Sequence, residues 1–183
     1  MSTHNFATLR RAVIETSLSN NWAQAVQEWQ VVSVEEDPRG TGICVCGKTS
    51  LVYLYTIHNW RTQESLFPIG SQCVNLFEVE ELDLSVNVLH QLLKLRSAYT
   101  SHKNVDLTSE YFSRALLADL WQNEAFPPND FNRGNGDNDY KFLLDLFNQR
   151  HDFTQKEKRK VWVLINRTIK EFVMKDERLG VVV

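Results

Sequence analysis

Apolar residues change their spacing several times along this chain, and the changes divide it into elements. Leu9, Val13 and Ile14, then Trp22, Val26 and Trp29, recur at helical intervals. The stretch "SLSNN" between the two sets favours caps and turns over helix interiors, so residues 1–29 read as a pair of short amphipathic helices. "QVVSVEE" then alternates with a period near two and ends in "EDPRGTG", a turn signal. "LVYLYTI" is a run of β-formers, "HNWRTQES" supplies a turn, and "LFPIG" reads as a shorter strand whose proline suits an edge. From residue 79 helical spacing returns, over about residues 82–99, 109–125, 140–149 and 154–175. The last of these opens on "TQKE", a capping-box pattern in which Thr154 and Glu157 satisfy otherwise orphaned amides.

The pattern predicts an α+β protein forming one domain over residues 1–183. A small metal-binding β-hairpin or meander over 30–77 lies between the N-terminal helices and a C-terminal helical bundle over 79–175. Composition fits that class: hydrophobic residues make up 43% and charged residues 23%, as in an ordinary soluble globular protein. A chain of 183 residues also buries enough surface to fold without covalent staples. A net charge of -3 provides no global positive field, so any nucleic-acid contact has to come from a local patch. There is neither a signal-peptide core nor an apolar run long enough to span a bilayer, so the expectation is a soluble cytoplasmic protein with no membrane partner.

The candidate chemistry sits in "GICVCGKTS" and "PIGSQCV". All three cysteines of the chain, Cys44, Cys46 and Cys73, fall within 30 residues and lie close to turn glycines. A zinc site takes about four thiolate or imidazole ligands from two elements. Cys44 and Cys46, followed by Gly47, suit a tight knuckle; Cys73 suits the first turn of a helix, where the dipole favours a thiolate. His58 is the candidate fourth ligand, with Asp37, a water or His90 as alternatives. Two other readings of the cysteines stand beside the metal: ordinary burial of small apolar thiols, and a nucleophile, for which no partner base is evident.

"CVCGKTSLVYLYTIHN" followed by "LFPIGSQCV" resembles a segment found in uncharacterised bacterial, phage and large-virus proteins, patterned C-x-C-G, then a strand ending I-x-N, then G-S-x-C. The resemblance covers about residues 28–77. It implies a compact zinc-ribbon or treble-clef variant that binds zinc, and suggests contact with nucleic acid or protein without any established reaction.

A second candidate surface lies on the last helix. At about 100° per residue, Lys156, Arg159, Lys160, Arg167 and Lys170 share a stripe roughly 100° wide, opposite Val161, Ile165, Ile169 and Phe172. Cations in a first turn oppose the helix dipole, and a phosphate partner would account for them, as would a simply solvated face. Tyr53, Tyr55 and Trp60, with Lys48 and Arg61, are a candidate stacking platform or else core. The loop "DFNRGNGDND" misses the ligand spacing of a calcium loop, since Lys141 stands where a bidentate glutamate is needed. There is no P-loop, dinucleotide fingerprint or nucleophile elbow. The expectation is therefore a non-catalytic, zinc-stabilised protein that contacts nucleic acid or a nucleoprotein complex. The alternative is a protein-interaction or inhibitor module, phage-derived and anti-defence, with a purely structural metal.

Overall fold

A computed structural model describes residues 3–149 and 152–181 as a mixed α/β chain with a four-stranded sheet. The chain divides into two compact units, residues 1–90 with 177–183, and residues 91–176.

In the first unit, α1 (Thr3–Glu15) buries Leu9 and Val13 completely. The helix stops where Thr16 and Ser17 turn their hydroxyls back onto the Ala12 and Val13 carbonyls. A short α2 (Trp22–Ala25) and one 3₁₀ turn lead into β1 (Trp29–Glu36). Strand β2 (Tyr53–Asn59) pairs antiparallel with β1 and with β3 (Ser65–Ile69). The proline of "LFPIG" lies in β3, an edge strand, where its missing donor breaks no ladder. After α3 (Ser71–Asn75) the chain enters α4 (Glu80–Thr100), whose last ten residues belong to the second unit. The final element, β4 (Leu179–Val181), returns to lie parallel to β1, giving the sheet order β3-β2-β1-β4. Local pattern does not announce β4, because its partner stands some 145 residues earlier in the chain.

A buried polar clamp fixes the hairpin turn. Glu28, 2% exposed, accepts from the amides of Leu18 (2.8 Å) and Ser19 (2.9 Å) and from Asn59 Nδ2 (3.0 Å). The Asn59 side-chain oxygen accepts in turn from the Arg61 and Thr62 amides. The asparagine of the I-x-N element is thus a turn-forming residue tied to the first helices.

In the second unit, α5 (Arg114–Gln122) is shorter than the sequence pattern predicts because Ser113 caps it, its hydroxyl accepting from the Leu116 amide. Helix α6 (Asp137–Asn148) follows the polar loop, in which Asn129 and Asn132 form a capping box. The last helix is one run in three parts: α7 (Gln155–Val163), a π-helical stretch Leu164–Ile169, and α8 (Lys170–Lys175). The predicted capping box is present, with Thr154 N donating to Glu157 Oε2 at 2.7 Å. Leu92, Leu95, Leu116, Leu117, Leu120, Leu143 and Ile165 are fully buried in this unit. Among the described residues no helix is long and apolar enough to cross a membrane.

Candidate functional site

The knuckle is built by backbone closure. Asp37 receives the Arg39 amide and both the amide and hydroxyl of Thr41, which turns the chain out of β1. Gly42 pairs with Leu51 in an antiparallel bridge, and Cys44 N donates to the Lys48 carbonyl at 2.8 Å. Inside that loop Gly47 N donates to the Cys44 carbonyl at 2.7 Å, and Gly47 holds φ +87°, which an L side chain rarely adopts. Two ties then anchor the knuckle: Val45 N to the Pro68 carbonyl at 2.9 Å, and Lys48 Nζ to Gln72 Oε1 at 2.7 Å. Gly70 caps α3, and Cys73 sits in its first turn with its amide on the Gly70 carbonyl.

These constraints bring together three residues that the sequence separates. The sulfur atoms of Cys44, Cys46 and Cys73 all lie within 4.8 Å of one another, and the three residues are 1–3% exposed. Cys44 and Cys73 Sγ are 3.5 Å apart, and all three cysteines are free thiols. Four thiolates at about 2.3 Å around a tetrahedral zinc stand about 3.8 Å apart. The Cys44–Cys73 pair is already near that spacing, and a separation at the 4.8 Å limit would close by about 1 Å around an ion. The Gly70 amide donates to Cys44 Sγ at 3.4 Å, a contact that stabilises sulfur carrying negative charge. The Cys44 thiol is held well below its usual range, chiefly by the hydrogen bond from Cys73 and then by the Cys46 and Gly70 amides against the opposing effect of burial. Cys73 is pushed up, because a second thiolate there would face the one at Cys44. A cation among these sulfurs would relieve the repulsion between thiolates that the opposite shifts of Cys44 and Cys73 reflect. Three buried cysteines in this arrangement form a group able to bind a metal.

His58 is not part of the group, which corrects the assignment made from sequence. It pairs with Ser65 across the β2–β3 ladder, and its Nδ1 lies 3.0 Å from Ser65 Oγ. The cysteines gather where β3 ends at Ile69, paired with Tyr55, three residues back along β2 and so about 10 Å away. Asp37 also drops out, since both carboxylate oxygens are engaged in its own turn. His90 packs edge-on against Tyr53 at 4.6 Å between ring centres. No further histidine or carboxylate among the described residues joins the sulfur group. A cleft of about 160 Å³, lined by Cys44, Cys73, Lys48, Ser50, Tyr53 and Ser71 among others, opens beside it and has room for water.

The expected basic stripe is broken up. The π-helical stretch Leu164–Ile169 adds residues to its turns, so the phase of an α-helix is not carried from Lys156 to Lys170. Lys156 and Arg159 are exposed on α7. Lys160 Nζ lies 2.8 Å from Asp139 Oδ1 and 4.6 Å from the centre of the Phe142 ring. Arg167 stacks over Trp162 and Lys170 over Tyr99. The hairpin aromatics do not form a single platform either. Tyr55 is buried in the core, Tyr53 meets His90, and Trp60 is exposed at the hairpin turn under Arg61, at the other end from Lys48.

Sequence reasoning missed Lys103, which the fold brings beside Arg167 and Lys170. Its only local signal is a polar turn, "SHKN", ending a long helix. Set against protein-family models, curated proteins and solved structures, the chain shows no match.

Proposed function

We propose that the protein is a non-catalytic, zinc-stabilised binding protein whose three-cysteine clasp holds the small β element in shape, in the manner of a zinc ribbon. The observation that carries this reading is the convergence of three buried, free sulfurs within 4.8 Å from two separate elements. Thiolate ligands select soft or borderline ions, and zinc is the redox-inert member of that group. Cys44, Cys46 and Cys73 would supply three ligands and a water in the adjoining cleft the fourth. The metal's contribution is to neutralise the thiolates and cross-link the knuckle to α3.

The partner we propose is nucleic acid or a nucleoprotein complex, approached through Lys156, Arg159, Arg167 and Lys170. The support is that these side chains make no ion pair with an acidic group among the described residues. Affinity for nucleic acid measured across a salt series tests it. Binding should weaken linearly in log salt, and Lys156→Glu with Arg159→Glu should reduce both affinity and slope. Wild-type protein that binds no nucleic acid even at low salt refutes the reading. A second reading, a protein-interaction module, is favoured by the exposure of Ile43, Val52 and Phe67 around the knuckle and β3, since exposed apolar side chains there suit a protein surface.

A further inference from the structure

The turn that follows α4 and the π-helical stretch enclose a recess of about 280 Å³ wholly within the second unit. Its walls are Tyr99, His102, Lys103 and Asn104 on one side and Trp162, Asn166, Arg167 and Lys170 on the other. No carboxylate lines it, and Lys103, Arg167 and Lys170 have no ion-pair partner among the described residues. Three cations converging on one concavity repel one another unless an anion joins them. The walls are fixed by buried contacts: Tyr99 donates its hydroxyl to the Ile165 carbonyl at 2.8 Å, and Asn166 exchanges two hydrogen bonds with the Val105 backbone. Those bonds hold the turn against the π-helical stretch, a distortion that places Asn166 and Arg167 on the recess and that recurs at functional sites. Trp162 is 45% exposed at the rim, with the Arg167 guanidinium 5.6 Å from its ring centre.

The geometry points to a nucleotide-binding recess for single-stranded nucleic acid. One phosphate sits among Lys103, Arg167 and Lys170, and the adjoining base stacks on Trp162. A flat aromatic surface beside a fork of unpaired cations matches the two parts of a nucleotide, π-face and phosphate. The volume lies near the lower end of small-ligand sites, about 300–1,000 Å³, which suits one nucleotide unit and not a duplex. This inference rests on the nucleic-acid reading above and narrows it to one recess, with Lys103 and Trp162 as new contacts.

The test is fluorescence anisotropy of a labelled short oligo-dT strand with the full chain, alongside a duplex of the same length and thymidine monophosphate as competitors. Trp162→Leu keeps every charge and should weaken strand binding roughly 5- to 150-fold, the range for losing one stacked base. Lys103→Ala alters an exposed turn residue and should lower the salt slope by about 0.7, one single-strand phosphate contact. The strand should also quench tryptophan emission in the wild type, and quench it less in Trp162→Leu. If Lys156→Glu weakens binding but Trp162→Leu and Lys103→Ala bind as the wild type, the recess is overturned and the wider basic surface stands. Absence of strand binding overturns both. Duplex bound as tightly as strand, or monophosphate competing at the affinity of the strand, overturns the single-strand assignment.

Discussion

Lys160 looks from sequence like one more cation on a solvent face, and the fold gives it a different task. Its ammonium is 2.8 Å from Asp139 Oδ1, a buried oxygen for which it is the one polar partner among the described residues, while Asp139 Oδ2 accepts from Asn132 Nδ2 at 2.8 Å. Breaking a fully buried pair by removing one partner costs about 3–5 kcal/mol, whereas exposed pairs are worth about 0–1 kcal/mol. Asp139 is 3% exposed at its side chain and Lys160 34%, so this pair falls between those limits. Lys160→Met retains most of the aliphatic stem and removes the ammonium, which also lies over the Phe142 ring, so the expected loss is about 1–3 kcal/mol. Urea unfolding of wild type, Lys160→Met, Asp139→Asn and the double variant closes the cycle. The double variant should lose less than the two single losses combined, because the neutral amide introduced by Asp139→Asn no longer needs the ammonium. Lys160→Met within about 0.5 kcal/mol of wild type, together with additive losses, would refute the assignment. Lys160→Glu would set two carboxylates together, so Lys156 and Arg159 are the cleaner probes of nucleic-acid contact.

Acid should loosen the hairpin clamp. Burial pushes the Glu28 carboxyl up, but the hydrogen bonds from Asn59, Leu18 and Ser19 and the charge of Arg61 outweigh it and hold the carboxyl below the usual range. A depressed folded-state pKa stabilises the protein fully above the unfolded value of about 4.3, and the gain is lost as pH falls through the folded value. Urea midpoints measured from neutral pH downward should therefore fall more steeply below about pH 4.3 in the wild type than in Glu28→Gln, and parallel acid limbs would contradict the clamp. Gly42→Val probes the knuckle: a Cβ at this position would lie 2.4 Å from Leu54 Cδ2 and 3.0 Å from the Leu51 carbonyl oxygen. Leu54 has to swing aside and the Leu51 carbonyl to give way, which strains the bridge. The variant should therefore yield its metal to a chelator faster than wild type while keeping its helical circular dichroism; equal retention would show that the bridge does not shape the clasp.

The cysteine clasp was legible because both halves carry local signals, a glycine turn after Cys46 and a glycine-capped helical turn around Cys73. The fourth ligand was not, because strand pairing decides it: His58 is carried to the turn end of β2, which no local pattern records. β4 escaped notice for a similar reason, being three residues that acquire meaning only beside Val34, Glu35 and Glu36. The single basic stripe does not carry over in phase, since an angle of about 100° per residue presumes an α-helix and residues 164–169 are π-helical. Lys160 takes its role from its pairing with Asp139, and Lys103 shares a recess with Arg167; both placements join segments apart in the chain, which side-chain chemistry alone does not foretell.

The central claim is that Cys44, Cys46 and Cys73 hold one metal ion. Metal analysis of purified wild type beside Cys44→Ser, Cys46→Ser and Cys73→Ser tests it directly. The account predicts one zinc per wild-type chain, lost or sharply reduced in every variant, with His58→Ala retaining the wild-type content. A wild-type protein without stoichiometric metal after expression in zinc-replete medium, or serine variants that keep it, would contradict the account.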